Sequence, residues 1–231
     1  MPSIDLICLA NSRKLSARCV AGIRTDSSEW IRPVSNLPHG ALESRDRKLS
    51  NDDEPQNFDL IRIGFHGHKP LRSQPENWLI DGSPWQLLRR PAPATFLEHL
   101  RVRLFREPLL FGCASDRISV AKFAQTQVSD SLLLIKPTRP NWVTTRSFFG
   151  GKQLRVSFQL AGTAYNLVVT DPLYEQTAKK LGIGNHTSSE LGISDEDGLL
   201  FTISLGEEFQ GSCYKLVAAV LQLPTGWPPI T

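Results

Sequence analysis

The fold of this chain is decided by three short apolar segments near its N-terminus. They read Ile4-Asp-Leu-Ile-Cys-Leu-Ala10, then Leu15 to Ile23 with Arg18-Cys-Val-Ala-Gly22 at its centre, then Trp30-Ile-Arg-Pro-Val34. Each has the length of a β-strand, and the polar stretches between them are typical of turns. Three strands joined by short turns predict an antiparallel meander.

Strand patterns continue along the chain and separate into two blocks of similar size. In the second block, Lys152–Leu160 alternates apolar and polar residues, which predicts a half-buried strand, and Tyr165–Thr170 completes a hairpin. Helix signals are few. The best is Asp171–Gly182, with an Asp cap, Pro at the first helical position, lysines in the last turn and Gly after the end.

About five short strands in each block, with one inserted helix, are typical of the OB fold. We therefore predict a mainly β protein with two OB-like β-barrels in tandem and a few short helices, with under a quarter of the residues helical. The predicted division is a first barrel at 1–106, a connecting segment at 107–130 and a second barrel at 131–231. The alternative is a single ten-stranded sandwich.

The composition is that of a globular protein, and its charge is unevenly distributed. Hydrophobic residues are 40 % and charged residues 21 %, which argues against a disordered tail or a fibrous repeat. Residues 1–155 carry 23 Lys and Arg against 15 Asp and Glu, whereas residues 156–231 carry 3 against 8. This asymmetry is compatible with a polyanionic partner, and equally with arginines scattered over a protein surface.

Common catalytic and cofactor motifs are absent from the sequence. It contains no GxGxxG, GxxxxGK[ST], HExxH or GxSxG pattern, so we expect no catalysis and no cofactor. The four cysteines lack metal-binding spacing and fit a reducing compartment. Without a signal peptide pattern or a long apolar run, we expect a cytoplasmic protein that does not enter a membrane.

Several segments together resemble one protein family. Ile7–Lys14, Arg18–Gly22 and Trp30–Ser35 are similar to the opening of the prokaryotic dual OB-containing domain. Four later segments also resemble that domain, namely Gln74-Pro-Glu-Asn77, Val169-Thr-Asp-Pro172, Ser204-Leu-Gly206 and Tyr214–Ala219. The resemblance implies a nucleic-acid-binding module, associated with bacterial conflict and phage-defence gene clusters, with a defence protein as a possible partner. It transfers no catalytic residue.

The first block offers a cluster of candidate nucleic-acid ligands. Its members are Asn11, Arg13, Lys14, Arg18, Trp30 and Arg32. Single-stranded nucleic acid is commonly held by a basic groove with stacking aromatics. Trp30 and Arg32 share one face of a strand and could stack and clamp. The alternatives are a core position for Trp30 and a structural salt bridge for Arg32.

The second block offers its own candidates in a segment that we predict to be a strand-connecting loop. They are Arg139, Trp142, Arg146 and Lys152, with Phe148, Phe149 and two adjacent glycines between them. Interleaved cations and aromatics suit OB-fold recognition. The alternative is that Trp142 and Phe148 anchor the loop on the barrel end.

These patterns predict an accessory protein that binds single-stranded or structured RNA or DNA. We expect Arg13, Lys14 and Arg32 to form one continuous basic surface with the four second-block residues. Two alternatives remain open. One is a protein–protein adaptor that docks a defence effector. The other is an enzyme acting on nucleotides or modified nucleic acid through an Asn11, Arg13, Glu76 and Asn77 set.

Overall fold

The computed structural model describes residues 2–14, 16–125, 129–147 and 150–224. Strands make up 49 % and helices 17 %. The predicted mainly β fold with few short helices is therefore confirmed, as is the limit of one quarter on helix content.

The first half of the chain forms a six-stranded sheet. Its strands are β1 (Ser3–Lys14), β2 (Ala17–Arg24), β3 (Trp30–Val34), β4 (Leu60–His68), β5 (Asn77–Ile80) and β6 (Gln86–Arg89), with helix α1 (Ser44–Arg47) between β3 and β4. The strand order is β1-β2-β3-β5-β4-β6, and β1 also pairs with β4. Five strands therefore close into a barrel, in which β3 and β5 run parallel.

Tight pairing at the start of this barrel explains one residue of the opening motif. Gly22 lies opposite Cys8, next to an irregularity in the β1–β2 register. A Cβ atom at Gly22 would lie 2.1 Å from the Ile7 carbonyl oxygen. Only glycine lets the two backbones approach this closely.

The second half forms a nine-stranded sheet. Its members are β7 (Leu104–Phe105), β8 (Arg117–Ser119), β9 (Leu132–Ile135), β10 (Thr138–Arg146), β11 (Lys152–Leu160), β12 (Thr163–Val169), β13 (Gly184–His186), β14 (Leu199–Phe209) and β15 (Ser212–Gln222). The helices are α2 (Leu97–Arg103), α3 (Val120–Gln125) and α4 (Pro172–Lys180). Within this sheet, the strand order β10-β11-β12-β15-β14 corresponds to the order β1-β2-β3-β5-β4 of the first barrel. The parallel pair β12–β15 corresponds to the parallel pair β3–β5. On its other side, β14 pairs with β9 in the antiparallel direction.

The division into a first barrel at 1–106, a connecting segment at 107–130 and a second barrel at 131–231 stays a prediction. In the structure, Leu104–Phe105 from the predicted first barrel pairs with β9 of the second sheet. Arg117–Ser119 from the predicted connecting segment pairs with β15. These short strands therefore belong to the second sheet.

One hydrophobic cluster joins the two halves. It contains Leu9, Ala21 and Trp30 of the first sheet together with Leu134 and Ala219 of the second. Two further clusters fill the interiors, one in the first barrel and one around Trp142 and Phe201. Because the middle cluster is continuous across both sheets, the halves are packed firmly against each other.

Candidate nucleic-acid interface

The end of β1, next to the β1–β2 turn, carries two of the predicted cations, and both bind carboxylates of the second half. Arg13 donates to both carboxylate oxygens of Glu175 on α4, at 2.7–2.9 Å. Lys14 donates to Glu207 on β14 at 2.8 Å and also to the His39 carbonyl. Each positive charge is therefore matched by a carboxylate far away in the sequence.

Arg18 differs from these neighbours because it has no ion pair and no side-chain hydrogen bond among the described residues. It lies opposite Arg13 in the β1–β2 ladder and is partly exposed. The pairing of Arg13 and Lys14 leaves the Arg18 guanidinium as the cation of this hairpin that remains available to an anion.

Arg18 lies where three clefts of about 430, 480 and 470 Å³ meet. We call them together the polar groove. The first and second clefts share Ser16, Ala17, Arg18 and Arg47, and the second and third share Arg18 and Pro172. Both halves line the groove, since α4 forms one wall and the β1–β2 turn forms the floor.

The charge of the polar groove is predominantly positive. Its lining includes the cations Arg13, Lys14, Arg18, Arg47 and Lys179 and the carboxylates Glu43, Asp171 and Glu175. Arg47 is nearly buried and donates to Glu54 at 2.7 Å. Burial and the nearby Arg18 charge lower the pKa of Arg47, against the opposing effect of Glu54. The Arg18 and Arg47 guanidinium groups are close enough for their charges to interact, and an anion bound beside them would relieve this repulsion.

Asp171 and Asn11 lie at the end of the groove formed by the third cleft. Asn11 Nδ2 donates to the Pro55 carbonyl at 2.9 Å, which fixes the side chain against the loop before β4. Asp171 caps α4 and accepts hydrogen bonds from the backbone N–H groups of Leu173 and Val220, both at 3.0 Å. Burial raises the pKa of Asp171 to about 6 even though these hydrogen bonds oppose the shift.

The raised pKa of Asp171 predicts a pH-dependent stability. In the unfolded chain this carboxyl has a pKa of about 3.9, so between roughly pH 4 and 6 the native state binds more protons and stability falls as pH rises. We expect the stability advantage of the wild type over Asp171→Asn to shrink by about 2–3 kcal/mol across this window and then stay constant. Urea unfolding of both proteins from pH 4 to 8 measures it. A difference that is constant with pH would contradict the assignment.

Trp30 and Arg32 do not form the predicted stacking surface. Every residue of β3 is buried, because one face of the strand lines the barrel and the other packs against the second half. Trp30 is 4 % exposed and belongs to the hydrophobic cluster that joins the halves. The prediction that these residues share a face is correct, but the face is covered.

Arg32 instead forms a buried network at the junction of the two halves. Its Nε donates to Glu76 at 2.8 Å, one terminal nitrogen donates to Ser131 Oγ at 2.8 Å, and both terminal nitrogens lie 3.4 Å from Ser204 Oγ. Burial alone would raise the pKa of Glu76, but Arg32 and the Ser131 hydrogen bonds outweigh it and lower the pKa. The salt-bridge alternative for Arg32 is therefore correct.

Three of the segments that carry the family resemblance contribute a residue to this network. Arg32, Glu76 and Ser204 come from three of those segments, which are far apart in sequence and meet at one buried point. Glu76 and Asn77 are buried and lie outside the lining of the polar groove. The geometry thus gives these segments a structural role at the junction.

Trp142 is also buried and cannot stack on a ligand in this structure. It is fully covered between Tyr174 and Phe201, and its Nε1 donates to Ser188 Oγ at 3.1 Å. The predicted exposed platform is therefore wrong, whereas the alternative of a structural aromatic is correct for Trp142. Phe148 and Phe149 lie outside the described residues.

The other second-block candidates fall into two separate places. Lys152 donates to the carbonyls of Lys179 and Leu181 at the end of α4, and Arg146 lies directly opposite it in the β10–β11 ladder. Arg139 is seven residues from Arg146 on the same strand, a separation of about 23 Å. Arg146 and Lys152 are thus near the Lys179 end of the polar groove, and Arg139 is at the far end of β10.

Two of the cations named in the groove lining, Arg47 and Lys179, were not predicted from the sequence. Arg47 lies in a polar stretch that looked like an ordinary surface loop, and Lys179 looked like a cation that stabilises the end of α4. A helix at Pro172–Lys180 was predicted correctly, but nothing in its pattern indicated that it would face the β1–β2 turn.

Comparison with known proteins provides one family match. The family model described as a dual OB-containing domain matches residues 4–220. No curated protein matches the chain. A solved structure, described as the crystal structure of the tetrameric p202 HIN2, aligns at 9 % identity over 96 % of this chain and 92 % of that one, with a TM-score of 0.29. Across the described residues, no helix has the length and apolar character needed to cross a membrane.

Proposed function

Because the chain belongs to the dual OB-containing domain family, we propose that it binds nucleic acid along the polar groove, without catalysis. The observation that carries this proposal is the position of Arg18, whose guanidinium has no partner within the described part of the chain and lies at the meeting point of three connected clefts. Phosphate oxygens are the acceptors that a guanidinium fork binds best.

The location of the groove within the barrel supports the proposal. In OB folds, the loop between the first and second strands is one of the elements that contact oligonucleotides. Here that loop is the β1–β2 turn, and Ser16 of the turn lines the first two clefts. The family fold and the unpaired cation therefore point to the same surface.

Helix α4 extends the cationic path into the second half. Arg13 binds Glu175 on one turn of the helix, and Lys152 binds the Lys179 carbonyl on the next. A strand of nucleic acid that follows the groove from Lys14 past Arg18 reaches Lys179, and beyond it Arg146. Both halves then contribute phosphate contacts to one ligand.

The groove favours recognition of phosphates over bases. Both tryptophans that were expected to stack are buried, and among the described residues that line the groove the aromatic ring is that of His39. Binding dominated by phosphate contacts has little sequence preference and depends strongly on salt. We therefore propose a ligand of single-stranded or structured RNA or DNA that is recognised through its backbone.

Charge reversal at Arg18 tests the proposal. We expect Arg18→Glu to weaken binding of a labelled 20-nucleotide RNA or DNA by at least about tenfold at low salt, because a charged hydrogen bond to phosphate is replaced by repulsion. Arg89→Glu is the matched control, since Arg89 is an exposed arginine on β6 outside the groove. Fluorescence anisotropy at several salt concentrations measures both the affinity and its salt slope.

Two results would refute the proposed groove. One is equal loss of affinity in Arg18→Glu and Arg89→Glu, which would indicate a diffuse effect of net charge. The other is no binding of single- or double-stranded RNA or DNA by the wild type at low salt. For Arg18→Ala we expect the salt slope to decrease by about 0.7–0.9, the value for one lost phosphate contact.

The family resemblance also implies a biological role in bacterial phage defence. We propose that the protein serves a bacterial phage-defence system and has a protein partner there. Co-purification of the protein with the product of a neighbouring gene tests this part independently of nucleic-acid binding.

A further inference from the structure

Lys215 on β15 is a buried cation without a carboxylate partner among the described residues. It is 1 % exposed, and its Nζ donates to the Cys113 carbonyl at 2.5 Å. The same nitrogen lies 3.2 Å from Cys113 Sγ and 5.4 Å from the centre of the Tyr165 ring. A buried ammonium is costly unless a negative charge balances it. The Cys113 thiolate is the group in direct contact that can supply this charge.

A strained turn places Cys113 against Lys215. The two residues before it, Phe111 and Gly112, both have left-handed backbones, with φ of 49° and 75°. Tyr165 fixes this turn, because its hydroxyl accepts from the Leu110 N–H at 2.9 Å and donates to the Pro108 carbonyl at 2.7 Å. Phe111 is a non-glycine residue in an unfavourable backbone conformation that its surroundings hold in place. Such strained residues are common at functional sites.

Cys113 is accessible as well as close to a cation. Its side chain is partly exposed, with Ser115 Oγ and the Arg117 carbonyl each 3.5 Å from the sulfur. Burial would raise the pKa of the thiol, but the Ser115 and Lys215 hydrogen bonds outweigh it, so the pKa is lowered. Burial lowers the pKa of Lys215, and the contact with Cys113 opposes that shift.

Cys19 provides a matched contrast within the same chain. It is also partly exposed and also contacts a cation, since Arg32 donates to Cys19 Sγ at 3.1 Å. However, the charge of Arg32 is already balanced by Glu76 at 2.8 Å. Cys8 and Cys213 are buried, and burial raises the pKa of each thiol. Cys113 is thus the cysteine that combines access with a buried cation that has no carboxylate in contact with it among the described residues.

We propose that Cys113 and Lys215 form a thiolate–ammonium pair, and that this pair makes Cys113 a modification site that hydrogen peroxide converts to a sulfenic acid. The thiolate sulfur attacks one peroxide oxygen and the O–O bond breaks. The leaving hydroxide takes a proton from the Lys215 ammonium and departs as water. Sulfur is oxidised, peroxide is reduced, and Lys215 becomes a neutral amine.

The charged groups around the pair set its pH dependence. Asp116, on the segment before β8, favours the Lys215 ammonium, whereas Lys122 on α3 disfavours it and favours the thiolate. Tyr165 faces the pair from β12 with its ring and hydroxyl. The thiolate therefore has two nearby cations, and the ammonium has one nearby carboxylate.

Site-resolved alkylation of the full chain tests the pair. We expect iodoacetamide at pH 7 to modify Cys113 at least about threefold faster than Cys19, since the Lys215 contact raises the thiolate fraction of Cys113 and this gain outweighs the weaker nucleophilicity that accompanies a lowered pKa. Mass spectrometry of timed digests gives both rates in one experiment. Lys215→Met, which keeps the length of the side chain without its charge, should remove this advantage. Peroxide followed by dimedone should label Cys113.

Two results would overturn the proposal. One is a Cys113 alkylation rate no higher than that of Cys19 in the wild type, a comparison that does not depend on folding of the Lys215 variant. The other is the absence of a dimedone adduct at Cys113 after peroxide treatment. Neither result depends on the polar groove, because Cys113 and Lys215 lie outside its lining.

Discussion

Replacement of Arg32 with methionine is expected to lower the free energy of unfolding by about 3–5 kcal/mol. The reason is that the Glu76 carboxylate would remain buried without its cation, and an uncompensated buried charge costs this much. Arg32 and Glu76 are each 2 % exposed, so water cannot replace the missing partner. Urea unfolding followed by circular dichroism measures the change.

A second arginine provides the control for this experiment. Arg13 also binds a glutamate across the two halves, but its side chain is 47 % exposed. Arg13→Met is therefore expected to cost no more than about 1 kcal/mol. The double variant Arg32→Met with Glu76→Met removes both charges and should be less destabilised than the sum of the single variants. Equal effects of Arg32→Met and Arg13→Met would show that the buried network does not stabilise the junction.

Replacement of Trp142 with alanine is expected to destabilise the fold by about 3–5 kcal/mol, the usual cost of removing a large buried aromatic. The Trp142 ring lies 6.3 Å from that of Tyr174 and nearly parallel to it, and 5.9 Å from that of Phe201. Its removal leaves a cavity in the core of the second half. Thermal and urea unfolding measure the loss.

The Trp142 variant also separates a structural role from a binding role. Measured at a temperature where the variant is folded, its affinity for an oligonucleotide should stay within about twofold of the wild type, because the ring cannot reach a base. Trp142→Phe keeps an aromatic ring in the core but leaves a smaller cavity and loses the Ser188 hydrogen bond, so we expect a cost of about 1–3 kcal/mol, below that of Trp142→Ala. A tenfold loss of affinity without a loss of stability would restore the stacking role predicted from the sequence.

Local patterns in the sequence determined much of the fold. The alternation in Lys152–Leu160 predicted a strand with Leu154, Val156, Phe158 and Leu160 on one face, and all four are buried. The cap, proline and lysines of α4 predicted a helix at the correct place. These predictions succeed because strand and helix periods depend on residues only a few positions apart.

The candidate site was harder to predict, because period 2 shows which residues share a face but not whether another part of the chain covers it. Trp30 and Arg32 do share a face, and the second half covers it. Arg13 and Lys14 do lie next to the β1–β2 turn, yet Glu175 and Glu207 neutralise them from 162 and 193 residues away.

The sequence by itself determined many of the strands, the best helix and the excess of cations in the first 155 residues. It did not show β10, because the segment that carries Arg139, Trp142 and Arg146 was predicted to be a loop and is a strand. Only the tertiary structure decided which cations stay available, since ion pairs and burial depend on contacts between residues far apart in the chain. Those contacts bury Arg32 and Trp142, and they leave Arg18 without a partner among the residues that the structure describes. The packing of the two halves determines whether a side chain is accessible to a ligand or has a structural role, and no local sequence pattern shows this packing.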